Sequence, residues 1–427
     1  MKISIMGLGY VGVINSACLA NMGHDVIGVD IKQEKVDKVN KGISPVYEQN
    51  LDDMVLKVVS NGKLSATTDM KSAILNTDLS LICVGTPCDS AGYLNKSALL
   101  RVTSDMGDAL KDKETQHIFI YRSTMLPGTT KEMASIISNN SGKERNKDFF
   151  MCMNPEFLRE GQAIKDFYEP EKIVVGHDDD FVKDVIKDLY IGFDSTKMFF
   201  VPIEVAESVK YADNIFHALK ICFANEIDSF CELNGVDGHK VMDIFKSDKK
   251  LNISEKYLTP GFCFGGSCLP KDVAAVSGFS MYRRLPLPLI NAIKESNNSR
   301  YEQFKKKLDS IIDNYDNPVI GFIGTSFKPM TDDLRESKVV EMVGAYKQFF
   351  KIMVYDDFVP QQEMEKVFGT DCQYTQNIDE LLSKSDIIVF NHLVGEDIIY
   401  DGLKPEQSVL DLNSSLNSER VESKYVK

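Results

Sequence analysis

The chain lacks any apolar run approaching the ~18–20 residues that a membrane-spanning helix needs. It also lacks C-x-x-C and C-x-x-H spacing, although it holds nine cysteines. An odd number of scattered thiols excludes a disulfide framework and a zinc site, and reads as mostly buried thiols in a reducing compartment. Net positive charge is missing too: 49 Lys and Arg stand against 63 Asp and Glu, a formal charge of -14. That balance disfavours nucleic acid or an anionic membrane surface as the main partner. An anionic ligand would need its positive contacts concentrated locally. No short-period repeat or low-complexity segment is visible. Lys2 and the apolar residues after it look superficially like a signal peptide, but Gly7, Gly9 and Gly12 interrupt the run, and a strand-turn-helix explains it better. A soluble, cytoplasmic protein is expected.

What is present is ordinary globular composition, 43% hydrophobic and 26% charged over 427 residues, enough for two or three domains. Short apolar runs at 3–6, 26–29, 79–84, 117–121, 149–153, 173–175 and 198–201 alternate with longer amphipathic stretches. This alternation predicts βαβ units and a parallel sheet. Chemistry in such sheets gathers where the strands end. Here the ends carry Gly7, Asp30, Thr86, Thr124 and the stretch Asn154-Pro155-Glu156.

Residues 204–234 hold no glycine or proline and change to a helical period. Ala212, Phe216, Leu219, Phe223 and Phe230 share one face; Lys210, Asn214, His217, Ile221 and Asn225 share another, which is rich in amide and cationic groups. A second α/β segment begins near Asn317, with strands expected at 319–323, 352–355, 387–390 and 409–412. Its first turn, Gly321-Phe322-Ile323-Gly324, lacks the third glycine of a dinucleotide fingerprint, so this Rossmann-like domain is expected to take a different ligand. The expected division is 1–200, 201–300 and 301–427, an α/β chain with a dinucleotide domain, a central long-helix region and a second Rossmann-like domain.

Gly7-Leu8-Gly9-Tyr10-Val11-Gly12 follows a strand and opens a helix. Gly7 permits the turn, Gly9 admits a pyrophosphate and Gly12 lets helix pack on strand; the helix start offers free amides to the phosphates. Asp30 ends the next strand, where a carboxylate binds both ribose hydroxyls and would repel a ribose phosphate, favouring NAD over NADP. Lys32 and Lys35 temper that preference.

In Gly265-Gly266-Ser267-Cys268-Leu269-Pro270-Lys271-Asp272, two glycines allow close approach to a cysteine, and the Lys271 ammonium favours the thiolate. Cys18, Cys83, Cys152, Cys222, Cys231 and Cys372 are expected to be inert core thiols; Cys263 lies near the site without the lysine spacing. A thiol serves a dehydrogenase that goes beyond the aldehyde. Thiolate addition gives a thiohemiacetal that can surrender a second hydride, leaving a thioester for water to cleave. That cleavage needs a base and an oxyanion stabiliser. Glu156 and Glu160 offer carboxylates four residues apart, on one face if the stretch is helical, and Lys210 and Asn214 offer donors.

These motifs resemble the UDP-glucose/GDP-mannose dehydrogenase family over essentially the whole chain. The resemblance rests on Gly7 to Gly12, Ser123-Thr124, NPEFLREG at 154–161, GGSCLPKD at 265–272 and TDDLRES at 331–337. It implies four-electron oxidation of a nucleotide-sugar with two NAD per sugar, a central helix used for dimerisation and a C-terminal nucleotide-sugar domain. By position it implies Cys268 as nucleophile, supported by Lys210, Asn214, Asp272 and Thr124, with Glu160 as the hydrolytic base. NAD would be held by Gly7, Gly9, Tyr10, Val11, Gly12, Asp30, Lys35, Thr86, Thr124, Lys271 and Arg335. The nucleotide-sugar would meet Glu156, Glu160, Lys210, Asn214, His217, Asn225, Tyr257, Gly265 and Lys328. No metal is implied. The runs at 123–129, 216–220 and 268–271 resemble the GDP-mannose branch, which retains Tyr257 but has an arginine where Thr259 stands. The alternatives are a UDP-glucose 6-dehydrogenase, a two-electron hydroxyacid-type dehydrogenase and an idle dinucleotide-sensing scaffold.

Overall fold

Eight short strands form the first sheet: β1 (Lys2–Met6), β2 (Asp25–Val29), β3 (Leu64–Thr67), β4 (Leu79–Ile82), β5 (His117–Tyr121), β6 (Phe149–Met153), β7 (Ile173–His177) and β8 (Met198–Val201). The computed structural model describes residues 1–427 except 88–93, 160, 255, 256, 258, 259, 267, 394–396, 418, 422, 423 and 427, and the side chains of 397 and 398. Two compact units emerge, Met1–Ala218 and Leu219–Lys427. The boundary falls within one long helix, Ile203–Leu233.

The first sheet runs β3-β2-β1-β4-β5-β6-β7-β8. Its order reverses beside β1, where an open α/β sheet leaves a crevice for a ligand. Every residue of β4, β5 and β6 is buried, which is why these strands read as unbroken apolar runs. Side chains alternate between two cores: Ile118 and Ile120 enter one, Phe119 and Tyr121 the other. Truncating one of these to alanine costs about 2–5 kcal/mol. A buried polar chain crosses the strands, with Ser80 bridging Ser4 at 2.7 Å and His117 Nε2 at 2.8 Å. Burial, followed by the nearby Lys113 charge, pushes the His117 pKa down to about 3.

The second sheet consists of β9 (Val319–Ile323), β10 (Lys351–Tyr355), β11 (Cys372–Tyr374), β12 (Ile387–Phe390), β13 (Ser408–Asp411) and β14 (Lys424–Val426), ordered β11-β10-β9-β12-β13-β14 and parallel throughout. Helices Gly238–Ser247, Leu269–Arg283 and Pro288–Ile312 precede it. Phe223 and Phe230 of the long helix pack on Phe245 and Phe279, at centroid distances of 5.6 and 5.3 Å. The Glu226 carboxylate accepts the Leu289 and Ile290 amides at 2.7 and 2.9 Å and so caps the helix Pro288–Ile312.

Three departures from expectation have physical causes. The first sheet is not wholly parallel: β7 runs against β6, pairing Cys152 with His177 and Met153 with Gly176. The connection after β6 turns back at the edge where that strand ends instead of crossing the sheet. Strands β3, β11 and β14 gave no apolar run, being three- or four-residue strands at sheet edges. Cys222 is exposed, not a core thiol, because it lies on the helical stretch 214–222 that is exposed throughout. Cys18, Cys83, Cys152, Cys231 and Cys372 are buried as expected.

Candidate active site

Gly7 turns the chain at φ +98°, and its amide donates to the Val29 carbonyl at 2.7 Å. A Cβ on Gly12 would lie 1.8 Å from the Gly7 carbonyl oxygen, so helix Tyr10–Asn21 closes on β1 only with glycine there. A Cβ on Gly9 would meet nothing within 4 Å, leaving space over the turn. The first turn of that helix carries no acidic residue and no side-chain cap, so its positive end is left for an anion. This is the cradle a pyrophosphate requires.

Asp30 stands beside the turn. One oxygen accepts the Leu8 amide at 2.9 Å and the Lys35 ammonium at 3.2 Å; the other accepts the Lys32 amide at 2.9 Å. Burial opposes its ionisation, but these amides and Lys35 outweigh it and hold the carboxyl below its ordinary range. A carboxylate has about four acceptor positions, three of them used here. At the ends of β4 and β5, the Thr86 hydroxyl donates to the Thr124 carbonyl at 2.8 Å, joining two expected cofactor contacts.

Beyond β6 the chain from 154 to 159 is irregular and not helical. Pro155 interrupts the stretch, and Glu156 instead folds back to accept the Leu158 amide at 2.7 Å. Glu160 and Thr259 lie outside the described residues. Asn154 anchors the loop: its Oδ1 accepts from Arg122 at 2.6 Å and Tyr190 at 2.7 Å, and its Nδ2 donates to Val174 at 2.8 Å. Lys210 is 8% exposed and donates to both the Glu156 carbonyl (2.7 Å) and its carboxylate (2.9 Å). The Phe157 ring lies 4.7 Å from the Lys172 ammonium and 5.5 Å from that of Lys210. One turn earlier, fully buried Glu207 accepts the Gly128 and Thr130 amides at 2.6 and 2.7 Å, which fixes the helix that presents Lys210. Asn214 and His217 follow on this helix and are exposed; His217, Phe157 and Lys172 line a cavity of about 870 Å³.

In the second unit, Cys268 is the N-cap residue of helix Leu269–Arg283 and is exposed. The positive end of a helix favours a negative group at such a position. Gly266, at φ +83°, donates its amide to the Arg335 carbonyl at 3.0 Å. A Cβ on Gly265 would lie 2.5 Å from the Glu336 carbonyl oxygen, and one on Gly266 would lie 2.8 Å from the Phe327 ring. These glycines are thus demanded by packing against the loop after β9. Arg335 chelates Asp333 through Nε at 2.9 Å and Nη2 at 2.8 Å. Asp333 first, and Cys268 more weakly, raise the guanidinium pKa further above its usual value. Lys271 pairs with Asp272 at 3.5 Å, both well exposed. Lys328 reaches over the Phe327 ring at 5.4 Å, and Tyr257 is 84% exposed with φ +63°. Asn225 is exposed on the long helix.

The loop before the cysteine is tied down by residues that carried no sequence signal. Asn297 brackets Phe264, accepting from its amide and donating to its carbonyl at 3.0 Å each. Arg300 donates to the Gly261 carbonyl at 2.9 Å, and Asn413 accepts the Phe262 amide at 2.9 Å. Asn413 also donates to Asn391 Oδ1 at 2.8 Å, and Asn391 donates to the Gly324 carbonyl at 3.1 Å. Burial pushes the Cys263 thiol up to about 12, so this neighbour stays protonated at neutral pH.

A glycine turn that opens a helix, with an aspartate ending the neighbouring strand of a sheet of this order, is the arrangement of a dinucleotide-binding domain. Three descriptions of the UDP-glucose/GDP-mannose dehydrogenase family match the chain: the NAD binding domain over 1–194, the central domain over 204–299 and the UDP binding domain over 321–396. The chain is 41% identical over 406 residues to GDP-mannose 6-dehydrogenase of Pseudomonas savastanoi pv. phaseolicola, covering 92% of this chain and 91% of that one. It is 32% identical over 391 residues to a UDP-glucose 6-dehydrogenase of Haloferax volcanii, covering 90% of each. A ternary complex of GDP-mannose dehydrogenase from Pseudomonas aeruginosa superposes with a TM-score of 0.91 at 35% identity, covering 99% of this chain and 100% of that one. The chain belongs to the UDP-glucose/GDP-mannose dehydrogenase family and is an NAD-dependent nucleotide-sugar oxidoreductase. Among the described residues, no helix is long and apolar enough to cross a membrane, and no cluster of His, Cys, Asp or Glu is placed to hold a metal.

Proposed function

We propose that the enzyme oxidises the C6 hydroxyl of GDP-mannose to a carboxylate, giving GDP-mannuronate. The higher likeness to GDP-mannose dehydrogenases, in identity and in superposition, carries this choice of sugar. NAD, when bound, accepts one hydride in each of the two oxidation steps. The Cys268 thiolate adds to the aldehyde carbon to form a thiohemiacetal, and loss of the second hydride leaves a thioester. Water then adds to the thioester and the thiol departs, so one alcohol and one water become a carboxylate.

Lys210 is held by Glu156 with its ammonium nearly buried, where it can stabilise negative charge without reorganising. Asn214 and Asp272 support the oxyanion and the water, and Glu160 takes the proton from that water. Lys328 and Arg335 reach the anionic ligand as cationic groups, Arg335 from its pairing with Asp333, in a chain of net charge -14. Tyr257, Gly265, Asn225 and His217 contact the nucleotide-sugar. The three regions 1–200, 201–300 and 301–427 divide NAD binding, the cysteine-bearing centre and nucleotide-sugar binding. The exposed Ile215, Phe216, Leu219 and Ile221 on the long helix support assembly as a homodimer or higher oligomer. Among the described residues the cysteines form no disulfide, which fits a reducing compartment, the cytoplasm.

The test is NADH production from GDP-mannose, UDP-glucose and UDP-N-acetylated sugars in parallel. GDP-mannose is expected to give the highest kcat/KM; a preference for UDP-glucose would overturn the assignment.

A further inference from the structure

Glu48 lies outside every motif, yet it is 6% exposed and holds three donors with one carboxylate. Oε2 accepts the Tyr10 hydroxyl at 2.5 Å and the Gly161 amide at 2.8 Å; Oε1 accepts the Ala163 amide at 2.9 Å. Tyr10 is the first residue of the helix that follows the glycine turn. Gly161 and Ala163 close the segment that begins at Asn154 and includes Glu156. One buried side chain thus joins the NAD turn to the end of the acidic loop, across 113 positions of sequence.

Helix capping alone does not explain this choice of residue. An Asp, Asn or Ser supplied locally would cap the short helix Ala163–Tyr168 more simply. Instead a carboxylate from a distant loop is buried with the like charge of Asp166 acting on it. Asp166 is itself engaged by Arg159, through Nε at 2.9 Å and Nη2 at 2.7 Å, so it fastens the other side of the same loop. An amide could not replace Glu48, because three converging donors need two acceptor oxygens and glutamine has one.

We propose that Glu48 is a positioning residue that transmits NAD occupancy from Tyr10 to the 154–163 loop. Ordering of the turn by NAD fixes Tyr10, Tyr10 fixes the Glu48 carboxylate, and the carboxylate fixes the Gly161 and Ala163 amides. The coupling stands on these contacts; only its catalytic consequence rests on reading this loop as the one that assists thioester hydrolysis.

Residue-resolved hydrogen exchange on the full chain tests it, with and without NAD at saturation for each variant. In the parent, NAD is expected to slow exchange at Gly161 and Ala163 by ~10-fold, the size of one charge-assisted hydrogen bond. In Tyr10→Phe, which removes a single oxygen, and in Glu48→Gln, that slowing should fall below ~2-fold while the helix Tyr10–Asn21 is still protected by NAD. Equal slowing in all three proteins, or none at Gly161 and Ala163 in the parent, would overturn the proposal. Intact mass during turnover separates the catalytic reading: acyl-enzyme should accumulate in both variants. Lost exchange coupling without accumulation would leave the link standing and refute the hydrolytic role of the loop.

Discussion

The turn after β1 and the turn after β9 occupy the same place in two sheets that share the order of their first six strands, yet they are built differently. After β1 the helix begins at Tyr10, three glycines clear the space and Asp30 ends the neighbouring strand. After β9 an aspartate again ends the neighbouring strand, but Asp356 is filled from within. Its Oδ2 accepts the Thr325 amide and hydroxyl and the Ser326 amide, and its Oδ1 accepts the Phe358 and Val359 amides. The chain then runs through 325–337 before the next helix, Lys338–Tyr346, and this loop carries Lys328 and Arg335 and buttresses the cysteine turn. One scaffold thus serves two tasks. Where glycines let the helix start at once, space is left over the turn; where a loop intervenes, its side chains and amides fill the turn.

Breaking the cysteine turn should have the largest effect. Cys268→Ser is expected to abolish acid formation, by ~10³-fold or more, because the aldehyde then has no route to a second hydride; chromatography of the sugar product reads it. Gly12→Ala comes next, since its Cβ would overlap the Gly7 carbonyl. NAD affinity should fall ~100-fold, whereas Gly9→Ala, with open space around it, should fold normally and lose affinity only through contact with the cofactor. Calorimetric titration with NAD distinguishes the two.

The paired aspartates sharpen the comparison further. Asp30→Asn should weaken NAD by ~10-fold, the worth of a charged hydrogen bond, with a small change in melting. Asp356→Asn should leave NAD affinity within ~2-fold but destabilise by ~2–3 kcal/mol, because buried amides lose their acceptor. A further effect is set by pH. The folded-state pKa of His117 is depressed to about 3, so its contribution is full above about 6.5 and is lost as pH falls toward 3. Urea unfolding between pH 6.5 and 4.5 should show a slope of up to about 1.4 kcal/mol per unit from this residue, and His117→Gln should flatten it.

Much of this was legible in the residues. The buried central strands announced themselves because both of their faces are apolar, and Gly7 and Gly12 did so because the turn tolerates little else there; Gly9 and Asp30 were legible from their spacing in the fingerprint. The edge strands β3, β11 and β14 were silent, since a short edge needs no apolar run. Asp356 ends an expected strand just as Asp30 does, so its position was readable; its occupation by Thr325 and Ser326 was not. Glu48, Glu207, Asn297 and Asn413 act across long sequence separations on backbone amides, which leave no local pattern. Glu156 was placed in the right loop, but Pro155 and the contact with Lys210 decided its conformation.

Four-electron oxidation through Cys268 is read from the moles of NADH formed per mole of GDP-mannose consumed. Two are expected, with GDP-mannuronate as the only sugar product and a transient acyl adduct on Cys268. One NADH per sugar with free aldehyde released, or two NADH from a Cys268→Ser enzyme, would contradict it.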